Sequence, residues 1–153
     1  NTGRPLKEGK WFEKFRSNYL DVDNDALYPF GYGLSYTTFR FSDITLNRSS
    51  IGMDNELVAS VTVTNTGDRA GSEVVQLYIR DLVGSVTRPV KELKGFEKIY
   101  LQPNESRTVR FTIAPEMLKF YNADLKFVAE PGDFDVMIGP DSRNVKTARF
   151  TLH

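Results

Sequence analysis

Residues 57–64, Leu-Val-Ala-Ser-Val-Thr-Val-Thr, put Leu57, Ala59, Val61 and Val63 on one side of the chain and Val58, Ser60, Thr62 and Thr64 on the other. Only an extended strand brings alternate residues to one face, and the β-branched content suits a pleated, half-buried surface. The same period recurs down the chain. Phe39, Phe41, Ile44 and Leu46 mark a first strand region with an irregularity at Asp43. Val75, Leu77 and Ile79 share a face within 73–80. A strand over 91–101 is interrupted at Gly95, the expected mark of a bulge. Val109, Phe111 and Ile113 face one way in the next strand, 125–128 is a short strand, Phe134, Val136 and Ile138 carry another, and the last covers about 145–152.

Turn chemistry separates these segments. Asn47 to Asn55 reads as a loop, Asn65-Thr66-Gly67-Asp68 as a turn, 81–89 as a longer loop, and Gln102-Pro103-Asn104-Glu105 and Glu130-Pro131-Gly132-Asp133 as turns. Pro115-Glu116-Met117-Leu118 suits one helical turn with proline in its first position. Seven or eight short strands at even spacing, with no long helix, predict an all-β fold: an antiparallel β-sandwich of the immunoglobulin class, preceded by an irregular N-terminal extension. A parallel sheet would need crossover helices that this sequence lacks.

The extension ends in residues 28–39, Tyr-Pro-Phe-Gly-Tyr-Gly-Leu-Ser-Tyr-Thr-Thr-Phe. Pro29 fixes its own φ and drives Tyr28 toward extended geometry, while Gly31 and Gly33 permit backbone angles or approaches that a Cβ would block. The aromatic load predicts a linker pressed against a surface. Trp11, Phe12, Phe15 and Tyr19 fall near helical spacing and belong to the same tail.

Charge narrows the function. Lys plus Arg and Asp plus Glu each number 20 in the 153 residues, so the formal net charge is zero. A nucleic-acid partner would call for a basic field, and anionic membranes for a polybasic one; neither partner is expected. No transmembrane run is present. There is no initiator Met and no signal peptide at Asn1, so the chain is expected to lie within a longer protein or to follow processing.

The chemistry of known sites is thin. Cysteine is absent and the sole histidine is His153, which leaves no thiolate metal site, no multi-histidine site and no Ser-His-Asp triad. Counted from Asp21, a calcium loop would need Gly and Glu where Ala26 and Tyr32 stand, so 21–25 reads as a solvated turn. Gly31-Tyr32-Gly33 lacks the Lys-Ser/Thr pair of a phosphate loop. Glycosidases need two carboxylates, about 5–5.5 Å or 6.5–9.5 Å apart. Glu92, Glu97 and Glu130 carry no local motif that marks them for that role, and solvated or ion-paired roles are expected for them. Trp11, Tyr19, Tyr28, Tyr32 and Tyr36 have rings able to stack on sugars, but without a repeated spacing they read as anchors of the tail. Asn47-Arg48-Ser49 and Asn104-Glu105-Ser106 match the glycosylation sequon. Catalytic, cofactor-binding and metal-binding residues are therefore all expected to be absent, and no cofactor is expected.

Several stretches together resemble the C-terminal part of glycoside hydrolase family 3, the β-glucosidase and β-xylosidase group. They are Tyr19-Leu20-Asp21; the run from Leu27 through Phe39; Val63-Thr64-Asn65-Thr66-Gly67; Gly71-Ser72-Glu73-Val74-Val75-Gln76-Leu77-Tyr78; Arg88-Pro89-Val90-Lys91-Glu92-Leu93-Lys94-Gly95-Phe96; and Glu130-Pro131-Gly132-Asp133-Phe134. They cover nearly the whole chain in the family's order. Where the family has a Pro-Gly turn this chain has Pro103-Asn104, and Asn also tolerates the left-handed region. The resemblance implies that residues 1–36 are the tail of a preceding α/β domain plus linker, and that 37–153 are a fibronectin type III-like sandwich. It implies a retaining hydrolase whose Asp nucleophile and Glu acid/base lie on other domains, so no catalytic residue transfers here and the fragment alone is expected to be inactive. The implied partners are the parent's catalytic domains, with an oligosaccharide at the domain edge as a further candidate. The implied compartment is periplasmic or extracellular. The competing expectation is a stand-alone carbohydrate-binding or adhesion sandwich, which would have no use for residues 1–36.

Overall fold

The computed structural model describes residues 25–153. The tail aromatics Trp11, Phe12, Phe15 and Tyr19, and most of the acidic turn at 21–25, lie outside the described residues. Eleven strands follow in order: β1 (Phe39–Phe41), β2 (Thr45–Leu46), β3 (Ser50–Ile51), β4 (Leu57–Asn65), β5 (Gly71–Asp81), β6 (Glu92–Leu101), β7 (Ser106–Ile113), β8 (Phe120–Tyr121), β9 (Phe127–Val128), β10 (Gly132–Gly139) and β11 (Lys146–Leu152). A single-turn 3-10 helix, Pro115–Leu118, follows β7 with proline in its first turn, as the sequence predicts.

Alternation in the sequence becomes burial in the structure. In β4 the odd positions are buried and the even ones half-buried, and β4 pairs with β1 and β2 on one edge and β7 on the other. The second sheet runs β3-β11-β10-β5-β6. Between the sheets lies one core, to which β4, β7, β5, β10 and β11 contribute Val61, Val109, Leu77, Val136 and Phe150. Phe134 and Phe150 stack within it, ring centres 5.4 Å apart. The chain is an all-β sandwich.

Two local expectations are corrected. The stretch between Asn47 and Asn55 is not wholly loop: Ser50 and Ile51 pair with β11, and in parallel, so the sheet is mixed at that edge. Ile51 is buried, and its apolar side chain explains why the chain dips back to the core there. The strand expected over 125–128 shortens to Phe127–Val128 and gains an unforeseen partner, β8. Leu125 falls instead in the hairpin turn, with φ of 58°. The bulge expected at Gly95 is present, because the β5–β6 register shifts between Leu77, opposite Gly95, and Tyr78, opposite Leu93. Asn104 takes φ of 62°, the left-handed geometry that the Pro-Asn turn anticipates. Among the described residues, no helix is long and apolar enough to cross a membrane.

Candidate functional site

The outer face of β5 is where the structure departs most from a plain amphipathic strand. Val75, Leu77 and Ile79 face the core, but Gln76 and Tyr78 on the other face are also buried. Their cover is the linker. Tyr32 N–H donates to the Pro29 carbonyl at 3.1 Å, and Gly31, at φ of 81°, takes the third position of that turn. This is the geometry of a type II turn, which calls for glycine there. A Cβ on Gly31 would sit 2.0 Å from Oε1 of Gln76, so strand and turn interlock.

Polar bonds hold this contact. Gln76 Nε2 donates to the Gly31 carbonyl at 3.0 Å and also to the Pro140 carbonyl. Its Oε1 accepts from the Tyr78 hydroxyl at 2.5 Å. Ser142 N–H donates to the Phe30 carbonyl at 2.8 Å, and Arg143 Nη2 to the Ala26 carbonyl at 2.5 Å. The β10–β11 loop that supplies these donors is itself built on buried Asp141. That carboxylate accepts from the backbone N–H of Arg143 and Asn144 and from the Asn144 side chain, each at 2.8 Å. Burial alone would push the Asp141 carboxyl up; the Asn144 and Arg143 bonds outweigh it and hold the carboxyl below its ordinary range. Burial pushes the Tyr78 hydroxyl up, with the Asp141 charge adding to the effect.

At its far end the linker joins the other sheet. Asn65, wholly buried at the end of β4, accepts from Thr37 Oγ1 at 2.7 Å and from Gly67 N–H at 3.1 Å. Its Nδ2 donates to the carbonyls of Arg69, at 2.7 Å, and Leu101, at 3.1 Å. All four hydrogen-bonding positions of one amide are filled.

The linker's side chains mostly point away. Leu27, Leu34 and Tyr36 are 83%, 90% and 93% exposed, and Tyr28, Phe30 and Tyr32 are exposed as well. Phe30 meets the sheet with its ring edge-on to Tyr78, centres 6.5 Å apart. The expectation that Tyr28, Tyr32 and Tyr36 anchor the tail by their rings is therefore overturned. The backbone is what is anchored, because its carbonyls meet donors there, from Gln76 on the strand and from Ser142 and Arg143 on the β10–β11 loop, rather than an apolar trough. Phe96 and Tyr100 on β6, an edge strand, extend the exposed aromatic surface.

The carboxylates weighed as catalytic candidates are ion-paired, hydrogen-bonded or solvated. Glu92 pairs with Arg88 at 2.5 Å and Lys94 at 2.8 Å; Glu130 accepts from Ser85 Oγ at 2.6 Å; Glu97 is exposed. Among the described residues no group of three or more His, Cys, Asp or Glu is placed to hold a metal ion. Sequence reasoning singled out Gly31 but missed Gln76 and Asp141. A lone amide inside the apolar run from Val74 to Ile79 was the available signal.

A family model described as a fibronectin type III-like domain matches residues 73–142. A periplasmic β-glucosidase of Salmonella typhimurium is 54% identical over 99% of this chain, and a putative β-xylosidase of Formosa agariphila is 51% identical over 90%. The chain belongs to the fibronectin type III-like C-terminal domains of glycoside hydrolase family 3. The crystal structure of a Listeria innocua β-glucosidase in complex with glucose superposes this domain with a TM-score of 0.89, at 41% identity, covering 99% of it and 21% of that chain. The domain spans about one fifth of the length of the curated relatives it matches: 20% of the Salmonella protein and 18% of the Formosa protein.

Proposed function

We propose that this domain is the non-catalytic accessory part of a retaining β-glucosidase- or β-xylosidase-type hydrolase, and that it stabilises the catalytic domains by docking against them. In this proposal residues 1–36 close the preceding α/β domain and form the linker, 37–153 are the docking sandwich, and the parent works in the periplasm or outside the cell. The observation that carries it is the two-sided linker. Its backbone is fastened to Gln76, Ser142 and Arg143, while Leu27, Leu34 and Tyr36 are almost fully exposed. Large apolar side chains left exposed on a fastened backbone favour burial against a second body. A mobile tail would carry no such preorganisation.

The test is to remove residues 37–153 from the parent polypeptide and compare its thermal inactivation with that of the intact form. Faster inactivation is expected; unchanged inactivation overturns the proposal. The isolated chain is expected to give no turnover of an aryl glucoside above buffer. Saturable heat on titrating it with cello-oligosaccharides would move the assignment to a carbohydrate-binding module.

A further inference from the structure

Beside the linker, β1 and the β10–β11 loop border an open cleft of about 560 Å³. Its lining combines an apolar floor, including Phe39, Phe41 and Val145, with three cations, Arg40, Arg143 and Lys146, and no carboxylate. Two acids reach these cations from outside the lining. Asp25 lies 3.9 Å from Arg143, a loose contact, and Asp43 lies 3.0 Å from Lys146. Both acid side chains are almost wholly solvated, at 87% and 92% exposure, so they neutralise the cleft weakly. Arg40 has no ion-pair partner among the described residues.

The described linker reaches this cleft at its start. Arg143, in the cleft wall, holds the Ala26 carbonyl, so the linker arrives at the cleft before it crosses to Gln76. On the docking proposal above, the catalytic portion precedes the linker and so approaches this end of the sandwich. We infer that the cleft is the electrostatic half of the docking interface and receives an acidic, partly apolar segment of the catalytic portion of the same polypeptide. This rests on the docking proposal above and adds a location and a charge to it. Complementary charge fixes the register of such an interface, while the apolar floor gives its contact area.

The experiment compares melting temperatures of the intact parent polypeptide and of the isolated chain, each as wild type and as the Arg40→Glu, Lys146→Glu double variant. Arg143 is left alone because it holds the linker backbone. The double variant is expected to lower the melting temperature of the intact polypeptide by about 4 °C at low ionic strength. The loss should vanish near 0.5 M salt, where screening shortens to about 4 Å. The isolated chain should be unmoved. Equal loss in both forms means a role within the sandwich alone and overturns the inference, as does no loss in either. Leu34→Ser with Tyr36→Ser separates the two proposals. If that pair lowers the intact melting temperature while the charge reversal does not, docking stands and the cleft assignment falls; if neither acts, both fall. Should the double reversal fail to fold, Arg40→Gln is measured in its place, with the same salt-dependent loss expected and its absence overturning the inference.

Discussion

Gln76 and Gly31 lock linker to sheet: the amide donates to the glycine carbonyl at 3.0 Å, and the space beside that glycine is filled by the amide oxygen. Gly31→Ala meets two obstacles, a left-handed φ and a contact at 2.0 Å. The first costs roughly 1–2 kcal/mol, and the second forces Gln76 off its partners. Urea unfolding of the isolated chain is expected to show a loss of about 2–3 kcal/mol for Gly31→Ala, and near-wild-type stability for Gly33→Ala, beside which there is open space.

Asn65→Ala removes four hydrogen bonds from a fully buried position and leaves the carbonyls of Arg69 and Leu101 without this donor. A loss of about 2–4 kcal/mol is expected. Asn65→Asp should also destabilise, since it keeps the acceptor but replaces the donating nitrogen with a second acceptor facing those carbonyls. Equal stability of Asn65→Asp and wild type would contradict the assigned amide orientation.

Asp141 and Glu73 predict opposite pH dependences. The folded Asp141 carboxyl sits below its ordinary 3.8, so the unfolded chain takes up the proton first as pH falls. Its contribution is whole above the ordinary value and drains as pH falls through the lower folded one. Asp141→Ala should lose about 2 kcal/mol at pH 7, and the deficit should shrink in acid. Glu73 is raised above 4.5, chiefly by burial, with the Val74 N–H opposing. Its contribution is whole below the ordinary value and lost as pH rises through the folded one, so Glu73→Gln should stabilise the chain at neutral pH and leave it unchanged near pH 3. Melting curves from pH 3 to 8 check both signs.

Leu34→Ser with Tyr36→Ser should leave the isolated chain within about 0.5 kcal/mol of wild type, because both side chains are almost fully exposed. Circular dichroism melts test this. A loss above 1 kcal/mol would mean that these side chains are covered within the chain itself.

Phe150→Ala opens the stacked pair with Phe134 in the middle of the core. A loss of about 3–5 kcal/mol is expected on denaturant unfolding. A loss below 1 kcal/mol would mean that the core collapses around the vacancy.

Much of the sandwich was legible in local sequence, for a local reason. Strand period, turn chemistry and left-handed tolerance act over a few residues, so Leu57 to Val63, Gly95 and Asn104 announced their geometry unaided. The sequence by itself also determined the sparse chemistry: no cysteine, one terminal histidine and balanced charge are facts of composition. Only the tertiary structure decided what those strands meet. Gln76 is an ordinary polar strand residue until a glycine turn 45 positions away supplies its partner. Ile51 looked like loop until β11 paired beside it. The tyrosines of the linker looked like anchors, and they face outward because Gln76 and the β10–β11 loop offer hydrogen-bond partners to the backbone. Such outcomes depend on which distant groups share a surface, and no window along the chain contains both partners.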